Sequence, residues 1–283
     1  MNNAILLISC PDQRGITAGI TDFIYKNNGN ILHADQHIDD QHNIFFMRVE
    51  WSLDNFKLKV EDISATFKPL AQKFKMSWEL YFTGEKLRAG IFVSKPLHCL
   101  YDLLSRQMTG QLGCLFPLII SNHREAGELA TKFGIKFHYL PIDAQNKKEQ
   151  EKKELEILKK ERIDLIILAR YHQILSRSFI EHYPHQIINI HHSFLPAFAG
   201  KDPYAQAYAK GVKLIGATSH YVNEELDQGP IIEQGTVRVS HRDSLEDLKD
   251  KGQDLEKIVL YRAVRLHIER KILCYHNKTV VFG

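Results

Sequence analysis

The sequence predicts an α/β protein: a small ferredoxin-like βαββαβ domain followed by an open, mostly parallel α/β sheet. Three observations carry this. The first 82 residues run β-α-β-β-α-β by apolar period. From Leu87 onward strands and helices alternate singly, as βαβ crossovers do. Several later strands are unbroken apolar runs, such as Asp164-Leu165-Ile166-Ile167-Leu168, and suit a parallel sheet covered on both faces.

In the first domain, Ala4–Ser9 reads as an apolar strand. Arg14–Asn28 has helical spacing, with Ile16, Ile20, Phe23 and Ile24 on one face, and Asn28-Gly29-Asn30 stops it. Asn30–Asp39 and Asn43–Trp51 follow as strands; alternation in the second is imperfect. Leu53–Ala71 reads as a helix with Phe56, Val60, Ile63 and Phe67 as its stripe, and Phe74–Phe82 as the last strand. Thr83-Gly84-Glu85-Lys86 is polar and contains glycine, which marks a linker. The division expected is 1–83, a linker at 84–87, and 88–283.

In the second domain, strands are expected at Arg88–Ser94, Leu115–Ser121, Lys136–Tyr139, Leu165–Ala169 and Ile187–Ile190. Helices are expected at Leu97–Arg106, Glu125–Lys132, Lys147–Glu161 and Arg177–His182. A long helix from about Ser244 to Leu273 and a strand-like tail, Thr279–Phe282, close the chain. The Lys/Glu-dense stretch Lys147–Lys160 mixes both signs, as a solvated helix face does.

Composition excludes several classes. The chain has 283 residues, 44% of them hydrophobic, enough to bury two cores without staples. A net charge of +3, well mixed, does not point to nucleic acid or a membrane surface. No apolar run approaches the roughly 20 residues of a membrane span. Leu7-Ile8-Ser9-Cys10 loosely resembles a lipoprotein cleavage site, but no basic residue precedes it and its apolar stretch is short, so a first strand is expected there. Cys10, Cys99, Cys114 and Cys274 show no C-x-x-C spacing and read as free thiols in a reducing cytoplasm.

The densest chemical signal is Asn189-Ile190-His191-His192-Ser193-Phe194-Leu195-Pro196. Residues two apart on a strand point the same way, so Asn189 and His191 would share one side of a cleft at the sheet's carboxyl edge. Asp227 stands in a turn before Gly229-Pro230 and could fold back over that strand end. An amide, an imidazole and a carboxylate suit attack on a carbonyl: an N–H for the oxyanion, an acid or base near neutral pH, and a group that orients it. The same residue types also serve turns and cores, so spacing alone leaves the trio open. No serine or cysteine has the setting of a nucleophile, and attack by water or an external amine is the natural reading.

The segments Asn189–Pro196, Gly211–Tyr221, Leu226–Ile232, Arg88–Leu100 and Ala169–Ser176 closely resemble the formyltetrahydrofolate deformylases, a branch of the folate-dependent formyltransferase family. The resemblance runs from about Ala4 to the end. It implies a Rossmann-like catalytic domain and hydrolysis of 10-formyltetrahydrofolate to formate and tetrahydrofolate, supplying formate for purine synthesis and balancing one-carbon pools. It implies that Asn189 and His191 polarise the formyl oxygen, that Asp227 handles protons and water, and that His220 supports Asp227. The pterin would lie against His172, Gln173, Ile174 and Leu175 and touch Asn223, Glu224, Glu225 and Leu226. His172 stands where the family more often has Met. No metal or cofactor is implied.

Cys10-Pro11-Asp12-Gln13-Arg14-Gly15-Ile16 resembles the first turn of an ACT domain, a small-ligand regulatory module. Asp12, Arg14 and Gly15 are the effector-site candidates, because Gly15 at a helix start lets backbone N–H groups approach a carboxylate. A plain helix start capped by Asp12 is the competing reading. The resemblance implies an amino-acid effector, glycine or methionine, and a homo-oligomer, dimer or tetramer, in the cytoplasm. Two alternatives stand beside the hydrolase. A glycinamide ribonucleotide formyltransferase would share the trio but needs a phosphate cradle, and the turn Val93-Ser94-Lys95-Pro96-Leu97-His98 has no glycine and one residue without an N–H. The other is a non-catalytic amino-acid sensor. A methionyl-tRNA formyltransferase would carry a further domain and a basic surplus.

Overall fold

The computed structural model describes residues 2–143, 145–197 and 202–283. It divides into two units: residues up to Lys86 together with Glu269–Tyr275 and Val280–Gly283, and Leu87–Ile268 together with His276–Thr279.

In the first unit, β1 (Asn3–Pro11), α1 (Ile16–Lys26), β2 (Asn30–Asp39), β3 (Ile44–Ser52), α2 (Val60–Phe74) and β4 (Ser77–Phe82) form an antiparallel sheet in the order β2-β3-β1-β4. Alternate residues of β1 and β3 (Ala4, Leu6, Ile8; Phe45, Met47, Val49, Trp51) meet Ile16, Ile20 and Ile24 of α1 and Ile63, Phe67 and Ala71 of α2 in one core. The imperfect alternation of β3 has a physical cause. Its other face is also covered: Leu7 and Phe46 pack with Phe282, Leu273, Tyr275 and Val280.

That contact corrects the expected division, which assigned the whole tail to the second domain. The long helix, α8 (Leu245–Ile268), stops five residues before the expected Leu273. The chain then forms β12 (Ile272–Tyr275) and β13 (Lys278–Val281), a two-stranded sheet. Arg48 donates to the carbonyls of Glu269 and Arg270, which ties the start of the tail to the first unit.

Helix α2 begins seven residues later than the stripe predicts. Asn55 sits at φ 60°, and the Asp54 N–H goes to Ser52 Oγ, so residues 53–59 form turns. Leu53 and Phe56 still pack on the core, which is why they resemble helix-face residues in the sequence.

The second unit contains β5 (Arg88–Val93), α3 (His98–Met108), β6 (Leu115–Ser121), α4 (Ala126–Lys132), β7 (Lys136–Tyr139), α5 (Lys147–Lys160), β8 (Leu165–Leu168), α6 (Arg177–Ile180), β9 (Ile187–His191), α7 (Pro203–Ala209), β10 (Leu214–Tyr221), β11 (Ile231–Arg238) and α8. The sheet order is β11-β10-β9-β8-β5-β6-β7. The five strands from β9 to β7 are parallel, and β10 and β11 are added antiparallel. Strand order reverses between β8 and β5, and a ligand crevice belongs beyond the carboxyl ends there.

Apolar periodicity predicts no strand at β10 or β11 and no helix at α7. Strand β10 is buried from Ile215 to Tyr221 yet rich in small polar residues. Close packing accounts for the composition: a Cβ on Gly216 would stand 2.6 Å from the Phe194 Cβ and 2.9 Å from the Gly235 oxygen. No helix of the described residues is long and apolar enough to cross a membrane.

Candidate active site

Strand β10 runs back alongside β9 so that His220 pairs with Asn189 and Thr218 with His191. Period two then puts all four on one face. Asn189 Nδ2 lies 3.2 Å from His220 Nε2. His220 Nδ1 lies 2.9 Å from the Tyr221 carbonyl, which only accepts, so that nitrogen carries the proton. In the neutral ring Nε2 is therefore an acceptor and takes an N–H from Asn189. The second amide N–H of Asn189 remains for a ligand. Thr218 fixes the strand end: its hydroxyl donates to Ser193 O at 2.8 Å and accepts from Leu195 N at 3.0 Å.

The loop after β10 returns Asp227 to this face. His191 Nδ1 is 3.2 Å from Asp227 Oδ2, and His220 Nε2 is 3.7 Å from Oδ1. Burial would raise the Asp227 pKa, but the hydrogen bond from His191, with the His220 ring close by, outweighs it and holds the carboxyl well below the usual carboxylate range. An ionised carboxylate only accepts, so His191 Nδ1 carries the proton toward Asp227. His191 Nε2 is buried with no hydrogen-bond partner among the described residues.

Local chemistry forces the turn. Asp227 has φ 57°, a region Asp tolerates better than most residues. The Asn223 Oδ1 accepts from Glu225 N at 3.1 Å, and Gln228 N reaches Glu225 O at 3.2 Å. A Cβ at Gly229 would fall 1.7 Å from the Tyr221 oxygen, so only glycine fits there. The turn-former reading of Asp227 is thus realised, and the same turn brings its carboxylate to His191.

A cleft of about 420 Å³ opens on this face. It is lined by Asn189, His191, His220 and Asp227, and by every pterin-contact candidate: His172, Gln173, Ile174, Leu175, Asn223, Glu224, Glu225 and Leu226. Leu168, Ile180 and Val222 add apolar surface. Burial, then the Arg170 charge, lowers the His172 pKa.

Sequence reasoning missed Arg170, His192 and Asp202 as lining residues. Only Arg170 left a signal, a lone cation one residue past an apolar strand run. The turns after β5 and β8 are tied together: Ser94 N donates to Arg170 O at 3.2 Å and His172 N to Ser94 Oγ at 3.0 Å. Lys95 is exposed.

Among the described residues, His98, Cys99 and Glu256 place ligand-type atoms within 4.8 Å of one another. The chemistry there does not suit a metal. Glu256 already accepts from His98 Nε2 at 2.8 Å and from the Tyr204 hydroxyl, and it faces Arg170 Nε at 3.5 Å. Burial, then the Glu256 charge, pushes the Cys99 thiol well above its ordinary pKa.

In the first unit, Gly15 occupies the N-cap of α1 at φ 92° with no side-chain cap, so Asp12 is not the cap. The Asp12 N–H goes to Asn43 O at 2.9 Å, and Arg14 and Gly15 are exposed. All four cysteines are free.

Residues 87–264 match the formyl transferase family model, and residues 4–68 match the ACT domain model. The chain is 54% identical over 280 residues to the formyltetrahydrofolate deformylase of Synechocystis, covering 99% of this chain and 98% of that one. It belongs to the formyltetrahydrofolate deformylases. A crystal structure of a member of this family from Pseudomonas syringae matches with a TM-score of 0.98 at 43% identity, covering 100% of this chain and 95% of that one. A glycinamide ribonucleotide transformylase from Symbiobacterium toebii covers only 72% of this chain, with a TM-score of 0.67 at 28% identity.

Proposed function

We propose that Asn189, His191 and Asp227 carry out the hydrolysis of 10-formyltetrahydrofolate to formate and tetrahydrofolate. The chain is a hydrolase of this class by family. The observation that carries the residue roles is the His191–Asp227 contact of 3.2 Å, in one cleft with the Asn189–His220 pair.

A water oxygen bonds to the formyl carbon, and the carbonyl electron pair moves onto oxygen. The free N–H of Asn189 donates to that oxygen, which supports the transition state by about 3–4 kcal/mol. Asp227 accepts the water proton directly or through His191. When the adduct collapses, the C–N10 bond breaks, N10 takes a proton, and the acid loses its own proton and leaves as formate. His220 is a positioning residue: its Nε2 holds one N–H of the amide and so aims the other.

The pterin fits the cleft wall at His172–Leu175 with the Asn223–Leu226 loop across it; an apolar surface with convergent backbone groups suits a flat heterocycle. No cofactor or metal enters, because hydrogen bonds polarise the carbonyl. Chelation followed by added zinc should leave the rate unchanged.

The ACT assignment supports an amino-acid effector at Asp12, Arg14 and Gly15, with glycine and methionine the first to assay. Strand β2, at the sheet edge and largely exposed, supports a dimer or tetramer built through this unit. A cytoplasmic enzyme that supplies formate to purine synthesis completes the reading. Incubation with 10-formyltetrahydrofolate and no acceptor should release formate stoichiometrically with tetrahydrofolate. Turnover that begins only on adding glycinamide ribonucleotide would overturn the assignment.

A further inference from the structure

Behind the catalytic trio lies a charged cluster that the mechanism above leaves unused. Glu256 of α8 is 1% exposed and receives His98 from the start of α3, Tyr204 from α7 and Arg170 from the turn after β8. Burial would raise its pKa, but the His98 hydrogen bond and the Arg170 charge hold it below the ordinary value. Taking a carboxylate and a guanidinium out of water costs more than a hydrophobic pair would, which points to a task other than stability.

Arg170 reaches the cleft. Leu168 pairs with Asn189 across β8 and β9, and Arg170 and His191 each lie two residues further along their chains. Arg170 is the only lysine or arginine among the described residues lining the cleft, whose other charged groups are Asp202, Glu224, Glu225 and Asp227. The neighbouring imidazoles do not supply a second fixed charge. Burial, then Arg170, lowers the pKa of His192 to about 3, and the same causes lower that of His172. The ion pair with Glu256 runs through Nε, and no hydrogen bond among the described residues engages the Nη groups. A guanidinium held by one edge offers its remaining N–H groups as a fork that matches a carboxylate.

The reaction makes a carboxylate in this cleft. Hydrolysis turns a neutral formamide and water into an amine, a proton and formate, beside the ionised Asp227 that repels it. We propose that Arg170 is the carboxylate-binding residue of the cleft, that it takes the product formate, and that Glu256 is its positioning residue. The proposal rests on the deformylase reading. A second source of the same chemistry is the glutamate tail of the folate, and the test separates the two.

The experiment measures inhibition of acceptor-free hydrolysis by sodium formate against sodium chloride of equal ionic strength. It uses the full chain as wild type, Arg170→Lys, Arg170→Gln, Glu256→Gln and the double variant Arg170→Gln/Glu256→Gln. The double variant covers the case in which Arg170→Gln strands the Glu256 charge and unfolds. A three-atom ligand binds at about 1 mM at best, so wild-type inhibition is expected in the millimolar range. Arg170→Gln and the double variant should weaken it by about tenfold more than they raise KM. Glu256→Gln should show the same split to a lesser degree, and Arg170→Lys should recover part of it. For variants too slow to assay, stabilisation of the fold by formate reads the same binding.

A wild type indifferent to formate overturns the proposal. So do variants whose KM rises while formate inhibition stays unchanged, which would assign Arg170 to the glutamate tail. Wild-type formate release in the same assay tests the deformylase reading separately.

Discussion

Asn189 gives one amide N–H to His220, and in the proposed mechanism the other serves the substrate, so its replacement removes two things at once. Asn189→Ala should lower kcat by about 10²–10³-fold with a smaller effect on KM, measured as formate release at saturating folate. A drop in kcat/KM carried wholly by KM would place the amide in ground-state binding instead. At this scale the sequence was informative wherever a period or a break announced the residue. Asn189 and His191 share a face because they sit two apart on a strand, and Asp227 is flagged by Gly229-Pro230. His220 was legible through resemblance, since β10 itself was not foreseen. Arg170 and His192 were not foreseen as site residues, because a lone cation after a strand and the second of two histidines carry no spacing that points to a cleft.

Helix α5 shows how an element can be legible in outline and opaque in its chemistry. Its mixed charge predicts a solvated face, and half of its residues are exposed, but Glu151 and Glu154 are buried. Glu151 accepts the Ser176 N–H at 2.8 Å, and Tyr171 donates to Glu154 at 3.1 Å, so the helix anchors both ends of the turn after β8. Burial raises the Glu154 pKa to about 7. Between about pH 4.5 and 7 the folded state then holds a proton that the unfolded chain has released, so stability falls as pH rises through that window. Glu154→Gln should flatten this slope, read as the midpoint of urea unfolding at pH 5 and pH 7.5; an unchanged slope would assign it to another group. Strands β10 and β11 escaped prediction for the opposite reason. In β10 burial is achieved with glycine, alanine, serine and threonine, which allow close approach and so dilute the apolar signal, and in β11 only Ile232 is buried.

For the whole molecule, the sequence reading gives the chain's end to the second domain, whereas the structure groups Glu269–Tyr275 and Val280–Gly283 with the first unit. Thr83–Lys86 looks like a linker because it is polar, and the second unit begins at Leu87. The tail looks like an afterthought to α8, since four or five strand-like residues do not announce their partner. Phe282 is 2% exposed and packs on Leu7 and Phe46 of the first unit. Phe282→Ala should therefore cost about 3–5 kcal/mol of that unit's stability, followed by chemical denaturation, whereas a tail that merely extends the second unit would leave the first unit's transition in place.

The proposed hydrolysis depends on Asp227 as the group that manages the proton of water. Single-turnover formate release by Asp227→Asn, compared with wild type at equal folate occupancy, tests this most directly. The rate should fall by about 10²–10⁴-fold while folate still binds. A variant that binds folate and releases formate within a few-fold of the wild-type rate would contradict it.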